Sequence, residues 1–251
     1  MLVPTSWLQF EVAPVRGEGA ERAVLSSVAP VLARTPWFFT RWRHELRLRV
    51  AEDDAREALR EALVRASEAG HLRYWSSSVF EPRTHAFGGP EGMALALQHF
   101  AADSRVWLEL RLSPGAVPWT SFSAQCLRML VEHGLSSAEE AWEVWAHLAV
   151  MRSLPLERES CRLEPDGADD WGSHARHLLA AHLDVQREVA ERVLVLERSS
   201  QLLCGRRGWL ANLAQQHFIR WGHRSANAIV AHLLTSTNPL LYRQARILEH
   251  R

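Results

Sequence analysis

The order of apolar patterns in the first eighty residues limits the possible fold more than any other feature of the chain. Residues 7–12 and 46–50 alternate apolar and polar residues with the period of a half-buried strand, and residues 37–42 and 71–80 are interpreted as two further strands. Two further stretches repeat apolar residues at helical spacing, and they are residues 20–32 and 52–69. The order strand, helix, strand, strand, helix, strand predicts a ferredoxin-like antiparallel sheet with two covering helices.

The rest of the chain predicts helices only. After a glycine turn, one helix is expected over 90–101 and a second over 105–112, with Asp103 and Ser104 capping the second. The later helices are expected at 121–133, 137–154, 170–203, 207–220 and 225–234. The sequence therefore predicts an α+β fold with a ferredoxin-like portion, 1–113, and a helical portion, 119–251, packed on it as one compact unit.

Two arginines share one face of the third predicted strand. Side chains alternate along a strand, so Arg47 and Arg49 point one way while the apolar residues between them point the other way. One interpretation is a solvated outer face of the sheet. The other is a pair of guanidinium groups that hold a carboxylate or a peptide carbonyl.

A second candidate site follows the fourth predicted strand. Gly88 and Gly89 permit a tight turn, and Pro90 suits the first position of a helix. The backbone N–H groups at that helix start would face His85 and Phe87, where an anionic or carbonyl oxygen could be held. A purely structural turn is the alternative.

Composition excludes several functions. The 29 basic residues are all arginine and balance 29 acidic ones, so no Schiff-base or P-loop lysine is present and no nucleic-acid groove is expected. No GxSxG, HExxH, Walker or dinucleotide-binding motif occurs, and no cofactor is predicted. The 3 cysteines form no CxxC pair, and the sequence carries neither a signal peptide nor a membrane-spanning apolar run, so the cytoplasm is expected.

Histidines form one further candidate cluster. His217, Arg220 and His223 lie where one predicted helix ends and the next begins, so their side chains could converge on a cleft. The alternative is that these cations stabilise a helix C-terminus.

Five short segments resemble the thiopeptide-type bacteriocin biosynthesis family, which is related to the C-terminal elimination domain of class I lanthipeptide dehydratases. The segments are Trp37-Phe38-Phe39, Leu46-Arg47-Leu48-Arg49, Phe80-Glu81-Pro82, Phe87-Gly88-Gly89 and Asp103-Ser104. The resemblance covers residues 7–135 well and the helical remainder loosely. It implies one of two activities on a ribosomally made peptide. One is glutamate elimination from glutamylated Ser or Thr, and the other is a formal [4+2] cycloaddition of two dehydroalanines that forms a pyridine-type ring and a macrocycle.

The chain departs from the elimination motif of this family. Where the motif Glu-x-x-Arg-Tyr-Gly-Gly has its glutamate, arginine and tyrosine, this sequence has Arg83, Ala86 and Phe87. Elimination needs a base for the α-proton and a cationic clamp on the leaving carboxylate, so both losses favour cycloaddition. Elimination remains the alternative, and a non-catalytic subunit that adds the peptide to an exposed sheet edge is a third hypothesis.

The resemblance also implies residue roles. In a cofactor-free cycloaddition, Arg47, Arg49 and His85 would orient peptide carbonyls, and His217 or His223 would move the proton. The remaining residues expected at the peptide site are Arg83, Phe87, Gly88 and Arg220. The expected partners are the modified precursor peptide, with its leader and core, and a partner dehydratase, whereas neither nucleic acid nor a membrane is expected.

Overall fold

A computed structural model describes residues 7–51, 54–113, 119–154, 172–222, 226–239 and 241. The chain divides into two compact units, which are described separately. Unit 1 comprises Met1–Pro82, Leu97–Gly115 and Ile219–Gly222, and unit 2 comprises Arg83–Ala96, Ala116–Phe218 and His223–Arg251. The division of the chain at 113–119 that the sequence suggests stays a prediction.

Unit 1 contains a four-stranded antiparallel sheet. Its strands are β1 (Trp7–Pro14), β2 (Trp37–Trp42), β3 (Glu45–Ala51) and β4 (Leu72–Val79). They lie in the order β2-β3-β1-β4. The helices α1 (Glu18–Leu32) and α2 (Asp54–Glu68) fall between β1 and β2 and between β3 and β4. The predicted α+β class with a ferredoxin-like sheet is confirmed.

The two faces of the sheet differ as the alternation of β3 predicts. Leu46, Leu48 and Val50 are at most 1% exposed, and each lies opposite an apolar residue of β1. In β2, apolar residues lie opposite Leu48 and Val50, whereas Arg41 lies opposite Leu46. The opposite face carries two cross-strand rows that contain Arg49 and Arg47. The rows are Phe38-Arg49-Gln9-Ser78 and Thr40-Arg47-Glu11-Ser76. The first row is buried at Phe38, Arg49 and Gln9, so this face is not a uniformly solvated one.

The helix after the glycine turn runs without a break. The structure has a single helix α3 (Pro90–Leu112), so the prediction of two helices divided at Asp103 and Ser104 is wrong. No glycine or proline interrupts this helix around residue 103, and both side chains are fully buried. Ser104 Oγ accepts a hydrogen bond from the Phe39 backbone N–H at 3.3 Å. These polar residues therefore serve tertiary contacts, which the sequence does not distinguish from a helix cap.

Unit 2 is helical in its described part. A short 3-10 helix (Thr84–Phe87) precedes the glycine turn. The further helices are α4 (Trp119–Gly134), α5 (Ala138–Met151), α6 (Ser173–Arg198), α7 (Gly205–Trp221), which ends in unit 1, and α8 (Ala226–Thr237). Helix α4 packs on α6 and α5 on α8. The mostly helical C-terminal half is confirmed. Over the described ranges, every helix is too short or too polar to cross a membrane.

Candidate functional site

Arg49 is a buried cation on the polar face of the sheet. Its side chain projects from β3, its guanidinium carbon lies 5.2 Å from the Phe38 ring centre and 4.9 Å from that of Phe80, and the residue is only 7% exposed. Nη1 donates a hydrogen bond to Thr40 Oγ1 at 2.8 Å. Nε is buried and has no hydrogen-bond partner. Arg49 therefore keeps an unused donor in a site from which water is largely excluded.

Arg220 is more deeply buried and also has unused donors. It belongs to the last turn of α7 and is 0% exposed. Its Nε donates to Asp103 Oδ2 at 2.6 Å, and its guanidinium carbon lies 4.4 Å from the centre of the Phe100 ring. The other carboxylate oxygen, Asp103 Oδ1, accepts from Trp221 Nε1 at 3.0 Å. Both terminal nitrogens of Arg220 are buried without a hydrogen-bond partner.

The Arg220 backbone is fixed by a second arginine. Arg41 Nε donates to the Arg220 carbonyl oxygen at 3.2 Å, while its terminal nitrogens bind both oxygens of Glu21 at 2.9 and 2.8 Å. Gly222 leaves room for this side chain, because a Cβ there would lie 2.8 Å from Arg41 Cδ. Since the backbone and the Nε of Arg220 are both held, its unused nitrogens have a fixed direction, which favours binding of a partner without reorganisation.

Three guanidinium groups of unit 1 interact through their charges. Burial and the nearby charges of Arg47 and Arg220 lower the pKa of Arg49 to about 10, against the opposing effect of Glu11. Burial also lowers the pKa of Arg220, although Asp103 opposes this shift. Arg47 lies 3.5 Å from Glu11 and is about one-third exposed. Three cations thus share two carboxylates, so this arginine cluster, defined as Arg47, Arg49 and Arg220, carries a surplus positive charge.

The carboxylates around the arginine cluster are engaged. Asp103 accepts hydrogen bonds from Arg220 and Trp221, and Glu11 pairs with Arg47. Glu21 binds Arg41 and lies 3.6 Å from Arg111. The cluster consequently offers N–H donors and positive charge, which suit a carbonyl or carboxylate oxygen, and none of these three carboxylates is placed to act as a base.

The glycine turn of unit 2 is closed by the protein's own backbone. Gly88 adopts a left-handed conformation with φ 74°, and its carbonyl oxygen accepts from the Leu203 N–H at 3.0 Å. A Cβ on Gly88 would lie 2.9 Å from Cys204 Sγ. Gly88 and Phe87 are buried, whereas His85 and Arg83 are exposed. Only glycine fits this turn, and part of its polar backbone is already bonded within the protein.

A buried serine and histidine face each other in unit 2. Ser123 Oγ of α4 and His217 Nε2 of α7 share a hydrogen bond of 2.6 Å, and both residues are at most 1% exposed. The tautomer of the imidazole determines whether Ser123 Oγ donates or accepts this hydrogen bond. His223 lies outside the described residues.

The structure brings together three of the residues that the sequence selects, namely Arg47, Arg49 and Arg220 in unit 1. The remaining described ones, His85, Arg83, Phe87, Gly88 and His217, belong to unit 2. Their roles in binding or catalysis stay predictions. Within the described ranges, no group of three or more His, Cys, Asp or Glu residues is arranged to hold a metal ion.

Sequence reasoning missed the residues that complete the arginine cluster. Asp103 was interpreted as a helix cap, and Phe80, Phe100 and Trp221 received no role. The sequence does contain one signal, since Asp103 follows an otherwise apolar and alanine-rich helix segment, where a carboxylate is buried only if it is paired.

The fold and the arginine cluster define an α+β protein with a ferredoxin-like sheet and with buried guanidinium groups that have N–H donors without hydrogen-bond partners. Residues 7–238 match the family model described as lantibiotic biosynthesis dehydratase C-term. Because this match spans most of the chain, the protein belongs to that family.

A solved structure has the same fold. The tRNA-dependent lantibiotic dehydratase MibB from Microbispora sp. 107891 is similar with a TM-score of 0.67 and 17% sequence identity, over 98% of this chain and 29% of that chain. At this identity the likeness shows the fold alone, and the chain spans less than a third of the length of MibB. No curated protein matches the sequence.

Proposed function

We propose that the protein is an enzyme of ribosomal peptide maturation that joins two dehydroalanines of a modified precursor peptide in a formal [4+2] cycloaddition. The family supplies the substrate class, since lantibiotic biosynthesis acts on a peptide. The first product is a six-membered nitrogen ring that keeps the former amide oxygen as a hydroxyl group, and its closure makes the peptide a macrocycle. Loss of water and then of the leader as an amide leaves a ring of the pyridine type.

The observation that carries this proposal is that the arginine cluster consists of donors only. Arg49 Nε and both terminal nitrogens of Arg220 lack partners, while Asp103 and Glu11 are engaged with arginines. A cycloaddition needs hydrogen-bond donors and positioning, whereas an elimination also needs a base. A site rich in donors matches the first requirement.

The arginine cluster would act on an amide oxygen of the peptide. Formation of the imidic form moves the proton of the amide nitrogen to the oxygen of the amide that joins one dehydroalanine to its neighbour. Hydrogen bonds from guanidinium groups favour this step, because negative charge grows on that oxygen while the nitrogen loses its proton. The two alkenes must then be held at reacting distance, and positioning of this kind supplies a large share of the rate.

The residues of the elimination motif support the same choice. Arg83 stands at the position of the motif's glutamate and Ala86 at the position of its arginine. Arg83 cannot serve as a base at neutral pH, and Ala86 has no cation to offer. The Ala86 carbonyl is in addition bonded to Asn212 Nδ2 at 2.7 Å, so this part of the turn contributes to structure.

Glutamate elimination is the second candidate, and the surplus positive charge favours it. Burial and the charges of Arg47 and Arg220 lower the pKa of Arg49, and guanidinium groups this close together bind a carboxylate better than a neutral carbonyl. The leaving glutamate would bring such a carboxylate. A base would then have to come from outside the arginine cluster.

Mass spectrometry of two peptides decides between these reactions. One peptide carries glutamylated serines and the other carries two dehydroalanines behind a leader, and each is incubated with the purified protein and with its Arg49→Met variant. Conversion of the second peptide with release of the leader, lost in the variant, supports cycloaddition. A mass loss equal to glutamate from the first peptide overturns it in favour of elimination. Binding of both peptides without conversion overturns both reactions in favour of a peptide-binding subunit.

A further inference from the structure

The two edges of the sheet in unit 1 are treated differently. At one edge, β2 begins with Trp37, Phe38 and Phe39, which are each 1% exposed. The Phe39 N–H is bonded to Ser104 Oγ, and the Phe39 ring lies 4.5 Å from that of Trp107, so α3 covers this edge. Natural sheets cover or blunt their edges in this way because an open edge pairs with other chains.

At the other edge, β4 is open along most of its length. Among the described residues only β1 pairs with it, and 6 of its 8 residues are exposed, as their burial pattern shows. Val79 is 81% exposed and Tyr74 44% exposed. Such exposure leaves the outward N–H and C=O groups of the strand to solvent.

Charged residues, prolines and irregular register usually prevent an edge strand from pairing with other chains, and in β4 such features occur only at its start. Arg73 and a shift of register opposite Pro14 lie there. From Tyr74 onward the strand has no proline and no charged residue, and its middle is the run Ser76-Ser77-Ser78. Small hydroxyl side chains leave the backbone accessible and place few demands on the side chains of a pairing strand.

We propose that the β4 edge binds an extended segment of the precursor peptide by main-chain hydrogen bonds, which places the peptide in line with the arginine cluster. Strand addition of this kind relies on backbone contacts and tolerates varied sequences. The identity of the occupant rests on the proposed peptide-modifying function. The evidence that the edge is open is independent of that function and consists of the exposure and the pairing of β4.

The cross-strand rows connect this edge to the arginines. Ser78 lies in the row of Gln9 and Arg49, and Gln9 Nε2 donates to Ser78 Oγ at 2.8 Å. A strand added beside β4 would lie three strand spacings, roughly 14 Å, from β3. About four or five extended residues cover that distance, so a short stretch of peptide beyond the docked segment reaches Arg49.

The dimensions of the edge favour a peptide over a second copy of the protein. An edge of eight residues is about 26 Å long and, at a width of about 10 Å, buries roughly 500 Å² in total when paired with a like edge. Stable protein interfaces bury about 1,200 Å² or more. A flexible peptide would not be limited to the surface of the edge, because it could also contact the sheet beyond β4.

The test uses a fluorescein-labelled ten-residue peptide of alternating Ser and Val, and a twin that is methylated on every backbone nitrogen. We expect a saturable rise in anisotropy for the first peptide with a Kd below about 1 mM, and at least tenfold weaker binding of the twin, which keeps the side chains but has no backbone donors. Equal binding of the two peptides, or no saturable binding of either, overturns the proposal.

Two proline variants locate the binding edge. Successive residues of a strand point their N–H groups to opposite sides, so one of Ser76→Pro and Ser77→Pro disrupts the pairing with β1 and the other removes an outward donor. The first lowers Tm. The second keeps Tm close to that of the wild type and weakens peptide binding at least tenfold. If the variant with unchanged Tm binds the peptide as the wild type does, the edge is not the site.

Analytical ultracentrifugation tests whether a second copy of the protein, and not a peptide, pairs with the β4 edge. A dimer that forms with rising protein concentration and is lost in the outward proline variant would overturn the proposal in favour of pairing between two copies of β4. Because these measurements need no turnover, failure to detect cyclised product leaves them interpretable. Conversely, a chain that cyclises its peptide but fails the methylation test would retain its proposed function and lose only this docking edge.

Discussion

Both units contain buried, hydrogen-bonded polar side chains, and one pair from each unit shows two different ways of burying polarity. Ser123 and His217 in unit 2 form one short hydrogen bond between a hydroxyl group and an imidazole ring. Arg220 and Asp103 in unit 1 form an ion pair that is likewise fully buried, beside the second cation Arg49.

The difference distinguishes buried polar residues that stabilise the fold from buried polar residues that lower its stability. A buried hydrogen bond between uncharged groups contributes about 1 kcal/mol to stability. A buried cation without full compensation lowers stability, because desolvation exceeds the attraction that it gains. The arginine cluster is therefore expected to lower the free energy of unfolding of the free protein. Binding of an oxygen ligand should raise it again.

The largest effect is expected from breaking the ion pair of unit 1. Asp103→Ala leaves the Arg220 charge buried and unpaired, so the free energy of unfolding should fall by about 3–5 kcal/mol in urea titrations. As a control, Asp103→Leu combined with Arg220→Met removes both charges and should restore most of the loss. A decrease below about 1 kcal/mol for Asp103→Ala would mean that the pair is not stabilising in this way.

Removing the second cation should separate activity from stability. Arg49→Met is expected to lower product formation about 10²–10³-fold, as loss of a preorganised donor does. The same variant should raise the free energy of unfolding by about 1–3 kcal/mol, because a cation with a lowered pKa is no longer buried. Arg60→Met on the exposed face of α2 serves as the matched control and should change neither quantity. A fall in both quantities for Arg49→Met would identify Arg49 as a structural residue.

The serine–histidine pair of unit 2 should respond more weakly. Ser123→Ala removes a hydroxyl that is hydrogen-bonded to buried His217, so we expect a loss of about 1–2 kcal/mol in urea unfolding. Ser121→Ala, two residues away on the same helix and partly exposed, is the control. If Ser123→Ala cost as much as Asp103→Ala, the distinction between the two buried pairs would fail.

The pH dependence of Arg49 gives the smallest effect. Folding lowers the pKa of Arg49 to about 10, so between pH 10 and the ordinary pKa of an arginine the unfolded chain binds more protons and stability rises with pH. Below about pH 10, the loss of stability that comes from burying the Arg49 cation is fully present. The stability gap between Arg49→Met and the wild type should therefore narrow by roughly 1 kcal/mol between pH 9 and pH 11. Urea titrations of both proteins at the two pH values measure it, and a constant gap would refute the lowered pKa.

Local patterns were sufficient to predict the sheet and its arginine face. The alternation in β3 fixes the common direction of Arg47 and Arg49, and the order of strands and helices fixes the ferredoxin-like topology. These features depend on neighbours in sequence or on a known chain path, so the sequence carries them directly.

The partner of Arg220 could not be predicted in the same way. Asp103 lies 117 residues from Arg220, and an Asp-Ser pair is also a common helix start, so the nearer explanation was adopted. The glycine turn illustrates a related difficulty. The sequence identifies the conformation of Gly88, but the Leu203 N–H that occupies its carbonyl comes from a distant loop.

The glycine turn also limits how proteins with this turn can diversify. At Gly88 both the left-handed backbone and the contact with Cys204 exclude a side chain, so a mutation there damages folding before it can alter chemistry. Arg83 is exposed, and Ala86 is held through its main-chain oxygen, which any residue supplies. Side chains at positions 83 and 86 can therefore change while the loop keeps its shape, whereas a change at Gly88 alters the loop itself.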